Sequence, residues 1–201
     1  MASPSSFEPV PGARHRIEIV DGTEWITVNA VRNWFVLVFI SVWLIGWTFG
    51  GIGAMTQMVG EEGGPRLFLL VWLVMWAFGW IMAASTVAWQ IGGKTRVGVM
   101  AGVTGAALVH RLSLPLFSRT KHYDVLQVRR LRTAGSPLDG LFGIMARGSF
   151  PPFLPGRGVN MGAIAFDYGA RTVRLLPEID EAEGAMVTEW LARRLPASAT
   201  A

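Results

Sequence analysis

The chain has 201 residues and no cysteine. Zero cysteine fits a reducing compartment and excludes a zinc-finger spacing of thiol ligands. Histidine is scarce, at three. None falls in the long apolar runs, so none can ligate haem or a chlorophyll magnesium there. Charge is missing over two stretches: Trp34 to Met58 holds no Asp, Glu, Lys or Arg, and neither does Leu67 to Gly93. A proton or ion path through a membrane normally needs such groups, which disfavours transport by this chain alone. There is no HExxH, no P-loop and no nucleophile elbow. Gly60, Gly63 and Gly64 lack the following Lys-Ser/Thr of a phosphate cradle. No clustered acid, base or nucleophile supports an enzyme, and no cofactor is implied.

What is present is a motif written twice. The pattern FxxVWLxxWxFGxI runs from Phe39 to Ile52 and again from Phe68 to Ile81. Each copy sits in an uncharged run. A hydrocarbon core of ~30 Å needs about 20 helical residues, and both runs reach that length. The expectation is a transmembrane helical hairpin with a short connection at about Thr56 to Arg66. The first run begins only at Trp34 and is too long for a signal-peptide core. The connection holds Arg66 with Glu61 and Glu62, whereas Arg14, Arg16 and Arg32 precede the first run and Lys94, Arg96 and Arg111 follow the second. The positive-inside rule then puts both termini in the cytoplasm. Trp34 and Trp89 are expected at the same inner interface, where indoles are favoured.

Gly46 and Gly50 form a GxxxG, and Gly79 with Ala83 gives a small-xxx-small pair. Small residues let helix backbones approach closely. The plainer reading is that they close this hairpin on itself. The sharper one is an outward seam for another subunit. Trp43, Trp47, Trp76 and Trp80 pair at i,i+4 spacing near mid-membrane depth. An indole N–H in hydrocarbon prefers a partner, so these residues are candidates for helix packing or partner contact.

From Lys94 onward there are 14 bases and 8 acids of the chain's 18 and 14, a surplus of +6 (14 − 8). Lys94, Arg96, Arg129, Arg130 and Arg132 are candidates for an anionic-lipid surface beside the inner leaflet. The plainer account is positive-inside charge on solvated strands. No aromatic RNA-binding signature accompanies it, so nucleic acid is not expected as a partner. Strand patterns occur at Arg16–Val20 and Glu24–Val28 around the turn pair Asp21-Gly22. They recur at about Thr95–Met100, Ala106–Leu114, Thr120–Asp124, Leu126–Arg132, Gly162–Tyr168 and Thr172–Leu176. The stretch from Gly135 to Asn160 is rich in Gly and Pro yet carries Phe142, Phe150 and Phe153. Its apolar residues suggest that it packs on something. A closing helix is expected from Asp180 to Leu195. Asp180 and Glu183 would form a capping box, Arg193 and Arg194 would complement its C-terminal dipole, and Met186, Val187, Trp190 and Leu191 would form its apolar face.

The segments GAIAFDYGARTVRL at 162–175 and EIDEAEGAMVTEWLARRLP at 178–196, with WLIGW at 43–47, resemble a known type. They are similar to bacterial two-transmembrane-helix inner-membrane proteins with a pleckstrin-homology-like C-terminal domain. The resemblance implies a membrane α+β protein: a two-helix hairpin plus a cytoplasmic antiparallel β domain capped by one helix. Its division would be 1–33, a tail and β-hairpin; 34–92, the helical hairpin; 93–196, the domain with an insertion at 135–160; and 197–201, a tail. It implies scaffolding or oligomerisation more than chemistry.

His122-Tyr123-Asp124 looks suggestive, but on a strand His122 and Asp124 share a face while Tyr123 points the other way. A polar face accounts for them, and Asp167 beside Tyr168-Gly169 reads as a turn-shaping residue. Two functions remain. One is a non-catalytic accessory or scaffold subunit that positions other integral-membrane subunits in the bilayer, with a respiratory or photosynthetic complex as one host. The alternative is a membrane-anchored binding module for a peptide or an anionic lipid headgroup.

Overall fold

The computed structural model describes residues 14–60, 63–102, 105–115, 117–135 and 162–200. The insertion at 135–160, apart from Gly135, therefore lies outside the described residues, as do Glu61 and Glu62. Strands β1 (His15–Val20) and β2 (Thr23–Asn29) come first, then helices α1 (Trp34–Gly60) and α2 (Gly64–Gly92). Strands β3 (Lys94–Gly102), β4 (Gly105–Ser113), β5 (Ser118–Asp124) and β6 (Val128–Thr133) follow. The chain ends with β7 (Ile164–Tyr168), β8 (Arg171–Leu175) and helix α3 (Glu181–Ala192). The protein is thus α+β. α1 and α2 are long and apolar enough to cross a membrane. They run to Gly60 and from Gly64, so their connection is shorter than the predicted Thr56 to Arg66.

Turn chemistry fixes the first hairpin. Asp21 and Gly22 both have positive φ, 53° and 72°. That is the two-residue turn whose twist suits antiparallel strands. Between β5 and β6 the predicted strand start at Leu126 gives way to a 3-10 turn, Val125–Gln127. The Asp124 carboxylate draws the chain into it by accepting a 2.9 Å bond from Leu126 N.

β1 to β5 form one antiparallel sheet in chain order, and β6 to β8 form a second. The helical hairpin is inserted between β2 and β3, which are direct sheet neighbours with Asn29 opposite Lys94. Strands from segments 1–33 and 93–196 therefore belong to one sheet, and the strands before the helices are part of the domain after them. The pattern of side chains conceals this, because both hairpin and domain show the same alternation.

The core lies between the two sheets under α3. Ile26, Val28, Val97 and Leu108 from the first sheet meet Ile164, Phe166 and Leu175 from the second. Val187, Trp190 and Leu191 of α3 close it, while Met186 is only half-buried. Each such side chain contributes about 1.5–3 kcal/mol by burial. Tyr123 makes edge contacts with Phe166 and Tyr168, both at 5.3 Å between ring centroids. Asp180 caps α3, its Oδ1 accepting from Glu183 N at 2.9 Å. The reciprocal half of the capping box is not made. Glu183 instead accepts from Arg14 N and stands 3.6 Å from His15 Nδ1. At the other end Arg194 contacts Glu24 and lies 3.9 Å over the Trp190 ring. His15 and Glu24 sit at opposite ends of the β1–β2 hairpin, so α3 runs along that hairpin and fastens it at both ends.

Candidate functional site

The helix pair is closed by tryptophans set on glycines. A Cβ on Gly79 would lie 2.8 Å from Trp47 Cη2, and one on Gly51 would fall inside the Trp76 ring's contact distance. The Trp47 and Trp76 rings meet edge-on, 6.3 Å apart, and Trp43 is edge-on to Trp47 at 3.8 Å. Trp80 Nε1 donates to Thr48 Oγ1 at 2.9 Å, which itself donates to Leu44 O at 2.7 Å. An indole N–H is thereby satisfied inside the apolar pair. Trp76 Nε1 is buried without such a bond.

Of the predicted seam, Gly79 is at the contact, with Ala83 half-buried one turn on. Gly46 and Gly50 are not. A Cβ on either, or on Gly53, would meet nothing within 4 Å. The plainer reading of the GxxxG is therefore corrected: it does not close this hairpin. The contact stripe is Trp47, Gly51, Ala54, and the GxxxG stripe lies one residue out of phase, so it faces outward. The signal for Gly51 was its i,i+4 spacing from Trp47, obscured by the neighbouring Gly50 of the repeat.

The base of the hairpin is tied to the sheet. Ala30 N donates to Gly93 O at 2.9 Å, Asn33 N to Gln90 Oε1 at 3.0 Å, and Arg32 Nη2 to Ile91 O at 2.9 Å. Asn33 Oδ1 accepts from Val36 N at 3.2 Å and caps α1. Thr86, Trp89 and Gln90 are all buried. Trp34 is 67% exposed, but Trp89 is 0% exposed, so Trp89 is not the outward-facing indole expected beside Trp34. Trp89 is drawn inward because Gly93 leaves room for its ring: a Cβ there would lie 2.5 Å from it.

Below the base, Thr95 Oγ1 donates to Glu178 Oε1 at 2.7 Å, and Arg14 Nη1 donates to Glu178 O at 3.3 Å. Burial pushes the Glu178 carboxyl up to about 7, opposed by the Thr95 bond. His110, packed inward on β4, is held down to about 4 by burial and by Lys121. His122 is exposed on β5 while Tyr123 is buried, as the alternation required. Among the described residues no three His, Asp or Glu side chains stand together as a metal site. The pair Glu178 and Thr95 was not legible in the sequence, since 83 residues separate them.

The five candidate bases do not form one surface. Lys94 is exposed at the hairpin base, and Arg96 is 3.3 Å from Glu18 on the first sheet. Arg129, Arg130 and Arg132 belong to β6 of the second sheet. A register shift lies between Arg129 and Arg132, with Arg130 at φ 48°. Both Arg130 (2.5 Å) and Arg132 (3.4 Å) reach Asp167. Thr172 Oγ1 donates to Asp167 at 2.8 Å and, with the arginines, holds its carboxyl below the ordinary value. Asp167 therefore neutralises the β6 bulge and is not simply a turn residue.

Comparison of this chain with protein-family models, with curated proteins and with solved structures gave no match.

Proposed function

We propose that the chain is a non-catalytic, two-span scaffold subunit of a bacterial inner membrane, with both termini cytoplasmic, that positions other membrane subunits. The observation carrying this reading is the way the helices join the sheet. They emerge from two paired strands and are held by Ala30–Gly93, Asn33–Gln90 and Arg32–Ile91 bonds. Such a base holds the helices at one angle to the domain. An anchor for a free-standing module needs only a flexible linker. A scaffold needs a fixed angle between its membrane and cytoplasmic surfaces. The outward Gly46, Gly50 and Gly53 stripe supports a neighbouring helix at close approach. Two antiparallel sheets closed by a C-terminal helix support the pleckstrin-homology-like reading of the domain.

The alternative, a module that grips an anionic headgroup on the β6 arginines, is disfavoured by Asp167, which already engages Arg130 and Arg132. The test is to insert short Gly-Ser segments after Ala30 and before Gly93. In mild detergent the native chain should migrate with stoichiometric partners. The uncoupled chain should fold yet run alone. Partner association that survives uncoupling would overturn the scaffold reading.

A further inference from the structure

An open apolar groove of about 380 Å³ lies between α2 and the β4–β5 turn. Trp80, Ala84 and Ala88 form one wall, and Leu114, Pro115 and Phe117 form the other. Ser85 also lines it, but its hydroxyl is turned onto Met82 O at 2.8 Å. The turn is held shut by Leu114 and Phe117, whose backbone N–H groups each donate to the other's carbonyl, at 2.6 and 3.3 Å. It projects from the same end of the sheet as the helices, because Ser113 is opposite Lys94. Pro115 packs against Gly92, where a Cβ would lie 2.6 Å from Pro115 Cγ. From Ala88 to Trp80 the groove follows about 12 Å of helix. Phe117 is nevertheless 55% exposed. A tight turn that presents Pro115 and Phe117 to the outside is costly in water and favourable at an acyl boundary.

We infer that this turn dips into the inner leaflet and that the groove seats an acyl chain of an anionic phospholipid. The inference rests on the reading that α1 and α2 span a bilayer. Charge selects the lipid. Exposed Arg119 and Lys121 share one face of β5 beside the turn, Arg111 of β4 stands on the other face opposite Thr120, and the two strands carry no acid before Asp124 at the far end. Each base near an anionic surface favours binding. An acyl chain in the groove would place its headgroup within reach of Arg119 and Lys121. These residues are distinct from the β6 arginines, of which Asp167 engages Arg130 and Arg132.

The absence of cysteine makes the test direct. Phe117→Cys and Phe49→Cys, each in the full chain, are nitroxide-labelled and reconstituted in phosphatidylcholine vesicles with or without phosphatidylglycerol. Both labels should collide with oxygen and be shielded from a water-soluble relaxant. A shielded label at 49 with a water-exposed label at 117 would overturn the inference and leave the spans intact. Water exposure at both would overturn the spans themselves. Native mass spectrometry from mild detergent should show retained phosphatidylglycerol on the wild type, lost when Ala84→Trp fills the groove. Charge reversal at Arg119 and Lys121 should lower the retained fraction at least tenfold without unfolding the chain. Equal retention in all variants, or a protein chain cross-linked to position 117 in place of lipid, would refute the lipid as occupant.

Discussion

Glu178 accepts a 2.7 Å hydrogen bond from Thr95 Oγ1, and neither side chain has any exposure. One hydroxyl does not offset the cost of burying a carboxylate. The group therefore holds its proton to about pH 7, against 4.5 unfolded. Between those values the folded chain carries a proton that the unfolded chain has released. Its contribution is fully present below pH 4.5 and is lost as pH rises to about 7. Glu178→Gln should remove that loss and raise stability at pH 8, by a few kcal/mol at most, given ~1.4 kcal/mol per pH unit. Thermal unfolding followed by near-UV circular dichroism checks it. An unchanged pH profile would show that Glu178 is charged in the fold.

His110 acts in the opposite direction. Its folded value near 4 lies below the ordinary 6.5, so its contribution is present above pH 6.5 and is lost as pH falls toward 4. Over pH 4.5 to 6.5 the two groups offset each other, and the wild-type profile should be shallow. His110→Phe should expose the Glu178 slope, with stability falling as pH rises. Glu178→Gln should expose the His110 slope, with stability falling as pH drops. Two single variants with slopes of the same sign would contradict one of the two assignments, and slopes both reversed would contradict both.

Glycines on α1 and α2 should separate by phase. Gly51→Leu and Gly79→Leu drive a side chain into Trp76 and Trp47. Overpacking of this kind costs about 1–3 kcal/mol. Both should lower the melting temperature of the isolated protein in detergent. Gly50→Leu meets nothing within 4 Å and should leave that temperature unchanged while weakening association with a partner. A loss of intrinsic stability in Gly50→Leu equal to that in Gly51→Leu would remove the outward stripe from the argument.

Much of the fold was legible because its signals are local. The two uncharged runs, the Asp21-Gly22 turn and the Asp180 cap all act within a few residues. The described strands fall within about two residues of their expected ends. What could not be read depends on distant pairing. No local pattern reveals that β2 pairs with β3 across the helices, or that Glu183 serves Arg14 and His15. The helical repeat also misdirected the packing. It drew attention to Gly50, the repeated position, when the contact falls on Gly51 beside it. Arg130 and Arg132 read as part of a free basic patch because Asp167 is far away in sequence.

Strand pairing around the helices leads to the last prediction. β2 contributes Trp25, Ile26 and Val28 to the buried interior, and α3 is fastened to the β1–β2 hairpin through Glu183 and Arg194. Residues 93–201 alone would lose those side chains and leave β3 as an unpaired edge, a template for aggregation. Ala30 N already bonds Gly93 O at 2.9 Å, so the two ends stand at hairpin distance. Replacing residues 31–92 with Asn-Gly should give a two-residue turn and one continuous sheet. This deletion also removes buried Trp89 and Gln90, so some stability is lost. The expected outcome is a soluble monomer with one cooperative unfolding transition, while residues 93–201 alone aggregate. Size-exclusion chromatography and thermal unfolding decide it. If residues 93–201 alone gave the same folded monomer, the strands before the helices would be an accessory to the domain rather than part of it.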